Sequence, residues 1–241
     1  MKIDIWSDIA CPWCYIGLTR FERALAGFEH AEGVQVVHHS FQLDPTLPES
    51  FDGTEAEYLA ARKGGSVADM RAMFAHVARA AATEDLTMDF DTLVVANSRR
   101  AHRLLHAARD ADPTGGVQRR LEDALFRAHF TDGESISDAD VLVRLAVAAG
   151  MDADLARAAL DDPERDAQVA ADIARASQLG ISGVPFFVLA DKYGISGAQP
   201  LEAFTQALAQ VWDEIHPRVE PLKVPGLEGF SGGQACGPDG C

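Results

Sequence analysis

The sequence predicts an α/β fold in which a long helical stretch separates two groups of β-strands. Three observations support this fold class. Residues 2–8 roughly alternate polar and apolar side chains and are followed by a helical pattern. A segment that begins β-branched starts at Val34, and an apolar segment led by a proline follows far downstream, from Val184. The order of elements is therefore strand–helix–strand, a run of helices, and then helix–strand–strand–helix.

The first half of the predicted sheet comes from the opening 43 residues. Residues 2–8 are predicted to form a half-buried strand. From Pro12 to Phe28 the apolar side chains recur at near-helical spacing, and Pro12 suits the first position of a helix. Residues 34–43 are predicted to form the second strand.

The middle of the chain, residues 44–162, consists mostly of alanine-rich amphipathic helix patterns. Gly and Pro residues in short polar segments divide these patterns into separate helices. Ser137 is predicted to cap the helix that contains Val141. One predicted helix face contains Leu93, Asn97, Ala101 and Leu104.

The last part of the chain predicts the second half of the sheet. Residues 180–189 read as a turn, a proline and an apolar strand. Residues 191–194 are predicted to form a hairpin turn that leads into a strand at 195–197. An amphipathic helix is expected from about residue 200 to residue 215.

Composition excludes several classes of partner. The net charge of −16 and the pI near 4.8 argue against nucleic acid or an anionic membrane surface. No segment approaches the roughly 20 consecutive apolar residues that a membrane-spanning helix needs. Because Met1 leads directly into the first strand without a signal-peptide pattern, we expect a cytoplasmic protein. Cytosolic thiols are kept reduced, so paired cysteines there are more often catalytic than structural.

The segment Cys11-Pro12-Trp13-Cys14 carries the most specific chemistry, because it places two thiols at the start of the first predicted helix. The free N–H groups and the positive end of the helix dipole favour a thiolate at Cys11. Cys14, one helical turn later, can form a disulfide with Cys11 with little movement of the backbone. This arrangement suits thiol–disulfide exchange, with Cys11 as the nucleophile and Cys14 as the resolving thiol.

Together with Gly183-Val184-Pro185-Phe186, this dithiol resembles the DsbA-like branch of the thioredoxin superfamily. The similarity is greatest to its FrnE-type, or 2-hydroxychromene-2-carboxylate-isomerase-like, subfamily and extends to about residue 211. Residues 41–43, 97–104 and 193–200 also match this group. The resemblance implies a thioredoxin fold with an inserted all-helical domain. Residues 1–46 and 164–217 would form the thioredoxin-like domain, residues 47–163 the helical insertion over the dithiol, and residues 218–241 a separate tail.

The resemblance also implies roles for individual residues. Pro185 would have a cis peptide bond and lie against the dithiol, and the backbone of Val184 would pair with an extended substrate. The protein is expected to exchange disulfides with protein or small-molecule thiols, without a metal or an organic cofactor. Glutathione-dependent isomerases and transferases of this fold usually have serine in place of Cys11 and lack the second thiol. Both cysteines are present here, which favours redox chemistry, while an isomerase or transferase and a non-catalytic binding module remain alternatives.

Other candidate site residues surround the dithiol. Trp13 is expected at the rim of the substrate cleft, where it could contact apolar groups. Asn97 is either a hydrogen-bonded core amide or part of the cleft lining. Trp13 offers no positive charge, and Asp8 precedes Cys11 by three residues, so both features predict a less oxidising couple. A zinc site formed by Cys11 and Cys14 with the tail cysteines is the less favoured alternative.

The C-terminal segment contains a second cysteine pair, Cys236 and Cys241. Six glycines between residues 226 and 240 predict a mobile arm. Residues 237–240 are typical of a tight turn that would bring the two sulfurs within bonding distance. We expect this second redox pair to relay electrons to or from Cys11 and Cys14, or else to form a tail disulfide without catalytic use.

Overall fold

A computed structural model describes residues 1–49 and 51–217 of the chain. The tail that contains Cys236 and Cys241 lies outside the described residues. The strands are β1 (Lys2–Ser7), β2 (Gln35–Ser40), β3 (Phe186–Leu189) and β4 (Tyr193–Ser196). Helices α1 (Pro12–Ala26) and α9 (Leu201–Ile215) belong to the two ends of this part of the chain. Between β2 and β3 lie α2 (Glu55–Lys63), α3 (Val67–Ala82), α4 (Arg99–Ala111), α5 (Gly116–Phe130), α6 (Ala139–Ala149), α7 (Ala153–Ala159) and α8 (Pro163–Gln178).

The four strands form one mixed sheet in the order β2-β1-β3-β4. Strand β1 runs parallel to β2, with Ile5 opposite His38, and antiparallel to β3, with Ile5 opposite Phe187. Strands β3 and β4 form an antiparallel hairpin. This topology confirms the predicted thioredoxin-like arrangement, in which two parallel strands flank a helix and an antiparallel hairpin completes the sheet.

The side chains of β1 alternate between the two faces of the sheet, and both faces are buried. Ile3 and Ile5 are fully buried in the main core, on the side of α1 and α9. There Phe21, Phe187 and Phe204 pack as an aromatic triad, with ring centroids between 4.8 and 5.8 Å apart. Trp6, the residue after Ile5, points to the opposite face of the sheet. It is also fully buried, and it packs against Ala176 and Ile181.

Three local predictions differ from the structure in their details. The second strand ends at Ser40, and the nearby backbone N–H of Leu43 is bound by the Asp8 carboxylate. The hairpin turn lies one to two residues earlier than predicted, because Ala190 and Asp191 adopt the positive φ values of 51° and 53° that such a tight turn requires. Tyr193 and Gly194 are consequently part of β4 rather than of the turn.

Two predictions about the helical stretch are wrong. Ser137 does not cap α6: the Asp138 carboxylate accepts the helix N–H groups, and the Ser137 hydroxyl donates to the Glu49 carbonyl oxygen at 2.5 Å. Asn97 does not lie on a helix face, because α4 begins only at Arg99. The Asn97 side-chain oxygen accepts the Arg99 N–H at 2.8 Å, and this local bond competes with continuation of the helix towards the N-terminus.

Gly17 allows α1 to approach the segment that precedes β3. A Cβ atom at this position would lie 2.8 Å from Pro185 Cγ and 3.2 Å from Ala198 Cα. The absence of a side chain at Gly17 therefore determines how closely the first helix packs against Pro185.

We expect Gly17→Ala to destabilise the protein by about 1–3 kcal/mol, because the added methyl group overpacks this contact. Urea unfolding of the purified protein measures the change. The matched control is Gly27→Ala at the end of the same helix, where a Cβ would have its nearest neighbour, the Arg23 carbonyl oxygen, at 3.7 Å. Equal stabilities of the two variants would contradict the close packing at Gly17.

Candidate active site

The structure places Cys11 at the N-terminus of α1. Cys11 is the N-cap residue, and its backbone N–H donates to the Asp8 carbonyl oxygen at 3.0 Å. Its own carbonyl oxygen accepts the N–H of Cys14 at 3.0 Å, and Pro12 occupies the start of the helix, as predicted. The Cys11 side chain therefore lies where the helix dipole favours negative charge.

The two cysteines are free thiols with different surroundings. The exposed fraction is 4% for Cys11 and 0% for Cys14. Burial raises the pKa of the Cys14 thiol well above its ordinary value, and a hydrogen bond and charge from Cys11 raise it further. Cys14 is therefore a protonated thiol at neutral pH, shielded from solvent behind Cys11.

The segment before β3 faces the first thiol. The Val184–Pro185 peptide bond is cis, as the resemblance implies. The Cys11 Sγ atom lies 3.7 Å from the Val184 carbonyl oxygen, to which the thiol donates a long hydrogen bond. Three of the predicted site residues, Cys11, Val184 and Pro185, are thus brought together although more than 170 residues separate them in the sequence.

Trp13 lies beside the dithiol and contacts the helical insertion. Its side chain is half-buried, and its ring centroid is 6.1 Å from that of His76 on α3. The exposed His76 side chain therefore adds to the surface around the dithiol. Sequence reasoning missed His76, because an exposed histidine on a helix carries no local signal of what it packs against.

Asp8 is buried beneath the dithiol and is held by polar groups from three parts of the chain. Its carboxylate accepts the N–H groups of Ala10 at 3.2 Å and Leu43 at 2.7 Å and pairs with His102 Nε2 at 3.2 Å. Burial alone would raise the pKa of Asp8, but the hydrogen bond and charge of His102 outweigh it and lower the pKa below its ordinary value. The resulting carboxylate charge contributes to the raised pKa of Cys14.

The Asn97 side chain is engaged within the protein. Its amide oxygen accepts from Gln42 Nε2 at 3.0 Å and from the Arg99 N–H, and its amide nitrogen donates to the Leu47 carbonyl oxygen at 2.5 Å. These bonds fit the first sequence-based alternative, a hydrogen-bonded amide, and they fix the entry to α4. Contact between Asn97 and a substrate stays a prediction.

A cavity of about 210 Å³ lies between helix α2 and the segment that links β1 to α1, and its wall includes Ala10, the residue before Cys11. Asp8, Ala10, Glu55, Tyr58 and His129 are among its lining residues. Burial raises the pKa of Glu55 to about 7 and lowers the pKa of His129 to about 4. Sequence reasoning did not predict this cavity, because a glutamate in the first turn of a helix also stabilises the helix itself.

Within residues 1–49 and 51–217, no group of three or more His, Cys, Asp or Glu side chains is placed to hold a metal ion. Among the described helices, none combines the length and hydropathy needed to cross a membrane.

Comparison with known proteins places this site in a family. The DSBA-like thioredoxin domain matches residues 2–209. A probable DsbA oxidoreductase from Streptomyces coelicolor is 44% identical, with a TM-score of 0.82 over 100% of this chain and 98% of that one. The cytosolic disulfide reductase DsbM from Pseudomonas aeruginosa is 19% identical, with a TM-score of 0.63 over 89% and 100% of the two chains.

A 2-hydroxychromene-2-carboxylate isomerase shares the same fold at 15% identity, with a TM-score of 0.65 over 90% of this chain and 98% of that one. DsbM has also been solved with GSH. The family match covers most of the chain and includes both the dithiol and Pro185. The chain belongs to the DsbA-like thioredoxin family.

Proposed function

We propose that this protein is a thiol–disulfide oxidoreductase that uses Cys11 and Cys14 as its redox centre. The Cys11 thiolate attacks a substrate disulfide, and one substrate sulfur leaves as a thiolate that takes up a proton. Cys14 then loses its proton and attacks Cys11, which forms the Cys11–Cys14 disulfide and releases the second substrate thiol. Two electrons pass from the dithiol to the substrate, and the reverse sequence oxidises a substrate dithiol.

The observation that carries this proposal is the position of the two thiols relative to Val184 and Pro185. Cys11 is at the helix N-terminus with its sulfur 3.7 Å from the Val184 carbonyl oxygen, and Cys14 is fully buried behind it. An extended substrate that pairs with the backbone of Val184 would bring its disulfide to Cys11. No bound cofactor is needed in this scheme, because the cysteine pair is itself the electron carrier.

The charges near the dithiol favour a reducing couple. Asp8 places a buried negative charge near the dithiol, and Trp13 supplies no positive charge between the cysteines that would stabilise a thiolate at Cys11. Interactions that disfavour the thiolate destabilise the reduced form and so lower the reduction potential. We therefore propose reduction or isomerisation of disulfides in the cytoplasm, on protein or small-molecule substrates, in preference to strong oxidation.

The cavity beside the dithiol favours a second candidate function. With a volume of about 210 Å³ and walls that include Ala10 and Leu43, it could hold a small thiol next to Cys11. The protein would then be an isomerase or transferase that uses glutathione, the thiol with which DsbM has been solved. A glutathione-binding assay and an insulin-reduction assay distinguish this activity from dithiol exchange. A non-catalytic binding module would not reduce insulin.

We propose that the helical insertion, residues 47–163, forms a lid over the dithiol. It provides His76 beside Trp13 and His102 beneath Asp8. Two arginines of α1, Arg20 and Arg23, also bind Glu84 just after α3, with nitrogen–oxygen distances of 2.6 and 2.9 Å. The insertion therefore contacts α1 both at its first turn and near its C-terminal end.

Substitution of each cysteine tests the two roles. We expect Cys11→Ser to abolish insulin reduction, because the buried Cys14 cannot reach the substrate. Cys14→Ala should instead accumulate mixed disulfides with substrate, detected by mass spectrometry, because attack persists and resolution does not. Circular dichroism serves as the control for folding. Substantial activity in Cys11→Ser would show that the nucleophile is assigned incorrectly.

The Trp13→His substitution tests the electrostatic argument. A histidine between the cysteines should stabilise the Cys11 thiolate by charge or hydrogen bonding, so that the couple becomes more oxidising. Equilibration with glutathione buffers measures the reduction potential. Trp13→Phe is the matched control, since it keeps an aromatic ring without a titratable group. A potential for Trp13→His that equals that of the control, or is more reducing, would contradict the argument.

We also propose that Cys236 and Cys241 relay electrons to or from the first dithiol. Truncation after Phe230 should leave the fold intact and slow multiple turnovers, while the first attack by Cys11 keeps its rate. The double substitution Cys236→Ala with Cys241→Ala is the matched variant of full length. Full turnover by both variants with glutathione and with a thioredoxin-type reductant would rule out the relay.

A further inference from the structure

A second cavity, of about 420 Å³, lies at the outer edge of β2, away from the dithiol. One wall is the edge strand, from Val34 to His38, and the other is the turn between α4 and α5 with the first residues of α5. It shares no lining residue with the cavity beside Cys11. The proposed redox reaction makes no use of this second cavity.

The edge strand offers unpaired backbone groups to the cavity. In its parallel ladder with β1, the backbone groups of Gln35 point towards β1, and the Gln35 N–H donates to the Met1 carbonyl oxygen at 2.9 Å. Because backbone groups alternate in direction along a strand, those of Val36 and His38 point outward. β2 is the edge of the sheet, so these N–H groups face the side on which the cavity lies.

Gln118 is a buried polar side chain that lacks a partner. It is 5% exposed, it lines the cavity, and its carboxamide makes no hydrogen bond to any part of the chain that the structure describes. The amide atoms of Gln118 are not among the fully buried atoms without a partner, so they reach the solvent that fills the cavity. They are therefore available to a molecule that enters the cavity.

The cavity is cationic in a strongly acidic protein. Arg109 and Arg119 line it, and α5 begins there with two glycines, without a side-chain cap. Arg119 has one carboxylate partner, Glu22, at 3.3 Å. Arg109 donates to His106 Nδ1 at 3.0 Å and lies 3.8 Å from the Asp110 carboxylate. Asp112 accepts one N–H of the first turn of α5, that of Val117.

His38 adds a third group that can carry positive charge. Its Nδ1 atom is 2.7 Å from the buried Glu122 carboxylate, in a contact that is close but not aligned as a hydrogen bond. Burial and the positive charge of Arg119 act to lower the pKa of His38. The negative charges of Glu122 and Glu22 outweigh them, so the pKa of His38 is raised above its ordinary value. The second ring nitrogen of His38, Nε2, has no partner among the described residues and can donate to a ligand.

We propose that this cavity is a binding site for the phosphate group of a small phosphorylated molecule. Arg109, Arg119, the imidazole of His38 and the Gln118 carboxamide would surround the phosphate oxygens, at the N-terminal end of α5. This many donors suit a dianion better than a single carboxylate. Val34, Val36 and Pro113 form an apolar wall against which the attached organic group would lie.

Titration of the full-length protein with inorganic phosphate and with glycerol 3-phosphate, at constant ionic strength set with chloride, tests the site. We expect saturable NMR shifts of the backbone amides of Val36, His38 and residues 115–118 with both probes, and tighter binding of the phosphomonoester. Binding should weaken as the pH rises and His38 loses its proton.

Three variants make the test specific. Arg119→Gln and Gln118→Leu should each weaken phosphate binding at least fivefold. Arg127→Gln is the matched control, since Arg127 lies on the same helix and is also exposed with one carboxylate partner. Without phosphate, Gln118→Leu should unfold at the same or a higher temperature than the parent, because it removes an amide that has no partner.

Shifts that do not saturate, or equal losses in Arg119→Gln and Arg127→Gln, would overturn the proposal and indicate general attraction of anions. A marked loss of stability in Gln118→Leu without phosphate would also overturn it, since the amide would then have a structural partner. Insulin reduction by the same variants is an independent measurement, so failure of the phosphate site leaves the redox proposal unaffected.

Discussion

The buried carboxylate of Asp8 is the constraint around which the active site is built. A carboxylate that is almost fully buried must be met by donors, since an unpaired charge in the interior costs several kcal/mol. The donors come from the loop itself, from the chain that leaves β2 at Leu43, and from His102 on α4. The Asp8 backbone carbonyl also binds the N–H of Cys11, so the same residue sets the position of the reactive thiol.

The need for those donors links the helical insertion to the sheet. A thioredoxin-like domain without the insertion would leave Asp8 without His102, and two further acids, one buried and one partly buried, show the same dependence. Glu122 on α5 accepts a hydrogen bond from the Ser7 hydroxyl at 2.7 Å and pairs with His38, while Asp172 on α8 lies between His39 and His106. Because acid–histidine pairs need defined distances and directions, they fix the register between helices and strands more strictly than apolar contacts would.

Sequence reasoning worked where the relevant information is local. The start of β1, the dithiol at the start of α1, and the segment that leads through Pro185 into β3 depend on alternation, helical spacing and proline, which a short window contains. The predicted proximity of Val184 to Cys11 came from a resemblance, because no local pattern connects residues that far apart.

The acid–histidine pairs could not be predicted in the same way. Asp8 and His102 are separated by 94 residues, and each looks like an ordinary polar residue in its own segment. What decides the role of His102 and of His106 is the carboxylate that each contacts in the folded chain, Asp8 for the first and Asp172 for the second. The prediction that Asn97 lies on a helix face was wrong for a related reason. Its side chain accepts a hydrogen bond from the Arg99 N–H, and this bond overrides the helical periodicity of the surrounding sequence.

The pairing of Asp8 also explains how one dithiol can combine a reactive and a protected thiol. The start of α1 directs its dipole towards Cys11, whereas the buried charge of Asp8 acts on Cys14 and helps to raise its pKa. The two effects have opposite signs and act on sulfurs one helical turn apart, so negative charge is favoured at the first sulfur and opposed at the second. In the proposed exchange, Cys14 would lose its proton only when its sulfur attacks Cys11, after the mixed disulfide has formed.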